Sequence, residues 1–187
     1  FFNIYELSNK FLWHEQVEKM LEWLRWMERP NNEISYFNDA ANGIAKSPRE
    51  LYEYAKSLGF LSHLGFVNVS DFESVRTNYL RSSGFFILEM GIVKLIADIG
   101  EVGPSYLPGH AHADTLSFEL YIDNLPIFVN LGTSQYGLTP RRTFERGTMA
   151  HNTVLLNGEN SSEIWASFRV ARRAKVVESS FYGDQFE

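Results

Sequence analysis

Cysteine is absent from the 187 residues, so the chain makes neither a disulfide nor a thiolate metal site, and both oxidising and reducing compartments stay open. No run of about 18 apolar residues occurs, which removes a membrane-spanning helix from the expectations. A surplus of positive charge is missing too. With 17 basic against 23 acidic residues the net charge is −6, and such a chain as a whole has no attraction for nucleic acid or an anionic membrane. The opening Phe1-Phe2-Asn3-Ile4-Tyr5-Glu6 has neither an initiating Met nor the basic start and apolar stretch of a signal peptide, and reads as the middle of a longer chain. Internal repeats and low-complexity tracts are also lacking.

What is abundant is aromatic surface, at 15% of residues. Most of it is expected as packing, and the excess suits a groove in which sugar rings stack. From Trp13 to Glu28 the apolar residues Trp13, Val17, Met20, Leu21, Leu24 and Met27 recur at three- and four-residue steps, which predicts an amphipathic helix. Pro30-Asn31-Asn32 stops it, and Ser35 to Ala45 reads as a loop with Asn38-Asp39 at its polar centre. Ser47 as cap, Pro48 at the first helical position and Glu50 closing a capping box announce a second helix, which leaves through Gly59. Beyond about residue 83 the period becomes two. Phe85–Leu88 and Ile92–Ile96 flank Met90-Gly91, Leu116, Phe118, Leu120 and Ile122 alternate with polar neighbours, and Asp123-Asn124 turns the chain back into Ile127-Phe128-Val129. Asn157-Gly158 after Thr153–Leu156 predicts a further hairpin. Helices followed by antiparallel strands make an α+β arrangement.

Three of the five histidines, His110, His112 and His151, fall within 42 positions. In a strand-like segment His110, His112 and Asp114 project from one face, and three such groups are costly to bury without a metal or other partner. His151-Asn152 adds a second segment, as a site drawn from separate elements requires. Between them Tyr136 sits on a glycine-flanked loop, close to arginines suited to an acidic substrate. Arg141, Arg142, Arg146, Arg169, Arg172, Arg173 and Lys175 put seven of the 17 basic residues into 35 positions, the one local surplus of positive charge.

Gly109-His110-Ala111-His112-Ala113-Asp114-Thr115-Leu116-Ser117-Phe118, then Gly132-Thr133 and Tyr136, then Arg146-Gly147-Thr148 and Ala150-His151-Asn152-Thr153-Val154 together resemble the heparinase II/III-like domain in order and spacing. The stretch from Met20 to Gly59, with Ile34 to Ala41, is similar to the last helices of the toroid preceding that domain. The resemblance implies the end of an α/α toroid over 1–62, a linker over 63–82 and a truncated antiparallel β-sandwich domain over 83–187. It also implies β-elimination on an acidic, uronate-containing polysaccharide; the location stays open, with periplasmic or secreted ranked ahead of cytoplasmic. Elimination needs a neutraliser for the carboxylate, a base for the C5 proton and an acid for the leaving oxygen. By motif, His110 and Tyr136 are the catalytic candidates and Arg142 and Arg146 the substrate-binding ones. His112, position 130 and His151 correspond to a structural metal site, usually zinc. Position 130 is Asn130 where the commoner pattern has Asp, a neutral and weaker ligand. The toroid's neutraliser and tyrosine find no match here, Tyr5 lying too near the last helices. A non-catalytic glycan-binding or structural β-domain is the alternative class, and a zinc hydrolase a third, for which no Glu pairs with the histidines.

Overall fold

The computed structural model describes residues 10–60 and 75–179. Tyr5, much of the expected linker and the final residues lie outside them. Two helices come first, α1 (Lys10–Met27) and α2 (Pro48–Ser57). A five-stranded antiparallel sheet follows in the order β1 (Val75–Leu80), β2 (Phe85–Met90), β3 (Val93–Asp98), β4 (Phe118–Ile122), β5 (Leu125–Phe128). After it come a short helix α3 (Pro140–Arg146), a 3-10 turn Thr148–Ala150 and a small hairpin of β6 (Glu163–Trp165) and β7 (Arg169–Ala171). The α+β arrangement is as expected. No helix among the described residues is long and apolar enough to cross a membrane.

Local chemistry accounts for most boundaries. The Ser47 hydroxyl accepts from the Glu50 amide while the Glu50 carboxylate accepts from the Ser47 amide, so two of the free N–H groups at the start of α2 are satisfied. Leu21 of α1 packs on Tyr52 and Ala55 of α2, with Val17, Leu24 and Phe60 around them. The β4–β5 hairpin turns at Asp123 and Asn124, both with positive φ, the conformation that matches strand twist in two-residue turns. Asn157 and Gly158 form such a turn as well, but it carries a single bridge, Leu156 to Glu159, and no strands. Thr153 is tied by its hydroxyl to the Thr115 carbonyl at 2.6 Å, which draws the preceding segment onto a loop. The sheet also begins earlier than residue 83: β1 lies inside the stretch read as linker, with all six of its residues paired to β2.

The sheet turns one face towards the helical part, where Phe85, Ile87, Ile96 and Tyr121 are buried with Met27 and Phe37. Leu116, Phe118, Leu120 and Ile122 do not form that face. It is Glu119 and Tyr121 that point inward on β4. Arg29, just beyond α1, meets them: its Nε donates to the Tyr121 hydroxyl at 2.8 Å, its guanidinium lies 3.8 Å from the centre of the Tyr36 ring, and Tyr121 in turn donates to Glu119. Glu119 also accepts from the Tyr36 and Asn130 amides, at 3.0 and 3.1 Å. This buried knot anchors the loop after α1 to the sheet, and that loop carries the site.

Candidate functional site

Asp39 is the centre of the site. The Phe37 ring is sunk edge-on against Phe85 at 5.0 Å, and Asn38 takes a positive φ of 53°, which an asparagine tolerates better than most residues. The turn so formed pushes Asp39 towards the loops that follow the sheet. There its Oδ2 accepts from His110 Nδ1 at 2.7 Å and its Oδ1 from His112 Nε2 and Thr133 Oγ1, each at 2.8 Å. Arg142 closes the set with both guanidinium ends, Nη2 on Oδ2 at 2.8 Å and Nη1 on Oδ1. Burial works against the Asp39 charge, but the donors from His112, Arg142, His110 and Thr133 outweigh it and hold the carboxyl far below the usual carboxylate range. An ionised carboxylate accepts only, so both imidazoles donate to it, and in the neutral rings the acceptor nitrogens are then His110 Nε2 and His112 Nδ1.

The segment around the two histidines is a loop rather than a strand, so the expected common face does not form. The His110 side chain is 69% exposed and that of His112 fully buried. Arg146 holds the loop from beneath through two bonds to the Ala111 carbonyl, and its own carbonyl accepts from the Ala113 amide at 2.9 Å. The α3 sequence explains this support. Thr139 caps the helix and Pro140 starts it, which places Arg142, Glu145 and Arg146 at three- and four-residue steps on the buried side. Glu145 accepts from the Ser134 amide at 3.1 Å, fixing the loop on which Thr133 and Tyr136 sit. Arg142 and Arg146 therefore lie under the site, fully buried and engaged by protein, where the sequence suggested direct contact with substrate.

Above them His110 stands edge-on to Tyr136 and Phe168, with ring centres 6.2 and 5.7 Å away, and those two rings stack on each other at 5.7 Å. Phe168 and Asp39 are the members of the site that the sequence left unmarked. Beside Tyr136 a pocket of about 380 Å³ opens between the two loops, lined by Tyr36, Asn42, Thr133, Gln135 and Tyr136 among others. The basic cluster disperses in space: Arg141 pairs with Glu145, Arg172 with Glu163, and Arg173 binds the Val102 and Pro104 carbonyls. Arg169, next to Phe168, is exposed and has no ion-pair partner among the described residues.

His112 and His151 meet behind this surface. His151 donates from Nδ1 to the Gly147 carbonyl at 2.8 Å, and its Nε2 lies 3.2 Å from His112 Nδ1. Burial lowers the His151 pKa, partly offset by the nearby Asp114. Two unprotonated ring nitrogens thus face each other with a buried carboxylate, Asp114, whose ligand atom lies within 4.8 Å of both. Nitrogen ligands of one tetrahedral zinc stand about 3.3 Å apart, given bonds of about 2.0–2.1 Å, so the histidine pair is spaced for such an ion. Each ring's remote nitrogen is committed to a carboxylate or a backbone carbonyl, as is usual for histidine ligands.

The family model described as Heparinase II/III-like, C-terminal, matches residues 74–186, more than half of the chain. The chain belongs to the heparinase II/III-like family. Its fold is that of solved structures titled heparinase III. One, a gene product with methylated lysines, matches with a TM-score of 0.63 at 19% identity over 86% of this chain and 27% of its own. Another, a crystal structure of heparinase III, gives 0.62 at 17% identity over 87% of this chain and 28% of its own. The chain thus spans little more than a quarter of the proteins it resembles. No curated protein sequence matches it. Asn130 occupies the position expected from the sequence to complete the metal site. The structure buries it and directs its Oδ1 to the Asn152 amide at 3.2 Å.

Proposed function

We propose that this chain is part of a polysaccharide lyase that cleaves a uronate-containing acidic polysaccharide by β-elimination, with His110 and Tyr136 as its contribution to proton transfer. The observation that carries this reading is the grip of Asp39 on His110. With Nδ1 fixed as the donor, Nε2 keeps its lone pair, has no partner among the described residues and belongs to an exposed ring, as a base or a substrate contact requires. Tyr136 stands beside it with Phe168, offering a phenol as the second proton carrier and a flat surface for a sugar ring. The neighbouring pocket of about 380 Å³ is of a size to take a sugar unit.

Arg142 and Arg146 serve in this reading as positioning residues, one neutralising Asp39 and the other holding the histidine loop, while the exposed Arg169 is the cation nearest in sequence to the aromatic wall. His112 and His151 would hold a structural zinc ion, whose charge would fix His112 and, through Asp39, keep His110 in place. The helices that supply the carboxylate neutraliser in such lyases are expected upstream.

Incubation of the full-length protein with a panel of uronate polysaccharides tests the proposal, since elimination leaves a conjugated double bond that absorbs in the ultraviolet. His110→Ala and Tyr136→Phe are expected to lower the rate by about 10²-fold or more. Glycan binding with no unsaturated product anywhere in the panel would move the assignment to a non-catalytic glycan-binding domain.

A further inference from the structure

We propose that Asp114, and not the residue at position 130, is the third protein ligand of the metal site. This rests on the reading of His112 and His151 as metal ligands and goes beyond it by assigning the carboxylate. Asp114 is almost wholly buried, and its Oδ2 has no hydrogen-bond partner among the described residues. A carboxylate oxygen in that situation loses its hydration with nothing in return, whereas a cation shared with the two imidazoles would supply the missing partner. It is also close enough, for its ligand atom and those of His112 and His151 lie within 4.8 Å of one another.

Asn130 is the poorer candidate, as a neutral amide whose oxygen is already engaged. Its carbonyl oxygen accepts from the Asn152 amide at 3.2 Å, and its Nδ2, the other side-chain atom, is buried without a partner among the described residues. Turning the amide over would set its NH₂ against the Asn152 N–H, donor against donor, so the oxygen stays where it is. An amide NH₂ does not ligate a metal. Asn130 instead holds the chain just after His151, with Asn152 Nδ2 bonded to the Phe118 carbonyl at 3.1 Å on the other side. Two imidazoles and one carboxylate suit zinc or cobalt(II) and leave room for one further ligand. Calcium and magnesium, which prefer all-oxygen shells, are disfavoured.

Zinc affinity of the full-length protein, measured by competition with a chromogenic chelator, tests the assignment, with the visible spectrum of the cobalt(II) form as a second readout. Asp114→Asn is expected to weaken zinc binding about a hundredfold or more, as His112→Ala does, while Asn130→Ala stays within about threefold of the parent. Loss of zinc in Asn130→Ala with retention in Asp114→Asn would overturn the assignment and leave the histidine site standing. No zinc in the parent, or full affinity in His112→Ala, would remove the metal reading altogether. Should Asp114→Asn not fold, Asp114→Glu replaces it: its cobalt bands are expected to move while those of Asn130→Gln do not, and unmoved bands in Asp114→Glu would overturn the proposal.

Discussion

Asp39 shows how much one side chain can be asked to do. Its two oxygens take five donors, and one of these, His110, is the group proposed to meet the substrate. Asparagine has the same shape but no charge, and its NH₂ would face donors on one side. Arg142 would then be left buried with its charge unpaired, which typically costs about 3 kcal/mol or more. Asp39→Asn is therefore expected to lose about that much stability in urea unfolding and to slow elimination by about 10²-fold, because His110 loses its fixed tautomer. A variant with parental stability and rate would show that the carboxylate is a bystander. None of this could be read near Asp39 in the sequence, where the residue looked like the polar centre of a loop. Its partners lie 71 to 103 positions further on.

At the level of elements, loops carry the site and the sheet gives them a fixed base. The loop after α1 and the loop after β5 touch at Gly132, whose φ is +62° and where an added Cβ would collide with the Ala40 carbonyl oxygen. The Thr133 amide donates to that same oxygen at 3.2 Å, and the hydroxyl of the same residue reaches Asp39. Gly132→Ala is thus expected to force the two loops apart. Activity should fall steeply, with a stability loss of roughly 1–3 kcal/mol from strain, and heat denaturation beside the ultraviolet assay separates the two effects. The first two helices, the cap of α2 and the Asp123-Asn124 turn were legible because each rests on contacts within a few residues, whereas α3 and its Thr139 cap were not. The facing of β4 was not. Its apolar alternation pointed to Leu120 and Phe118 as the inward set, and it takes partners such as the distant Arg29 and Tyr36, with the Asn130 amide, for Glu119 to lie inside. Likewise the motif around His110 and His112 named two residues that meet on Asp39, yet their positions on a loop depend on Arg146 of α3.

For the molecule as a whole, acid and base stability should carry the mark of Asp98. Burial raises its pKa to about 7, helped by the nearby charge of Asp114 and opposed by a bond from the Gly100 amide. The folded state then binds a proton more firmly than the unfolded chain, where the carboxyl titrates near 3.9. This group's contribution is full below that value and declines as pH rises towards about 7, by up to about 1.4 kcal/mol per pH unit. In chelator-treated protein, Asp98→Asn is expected to gain stability relative to the parent across that interval. Parallel unfolding curves for the two would refute the assignment. Between α1 and the sheet, meanwhile, the Asp39 cluster has a consequence for the order of synthesis. Asp39 leaves the ribosome long before the histidines, and Arg142 comes last of the set, 103 residues after it. In a growing chain the carboxylate therefore waits for its full set of donors until α3 has been made, when helix, sheet and loop first share it.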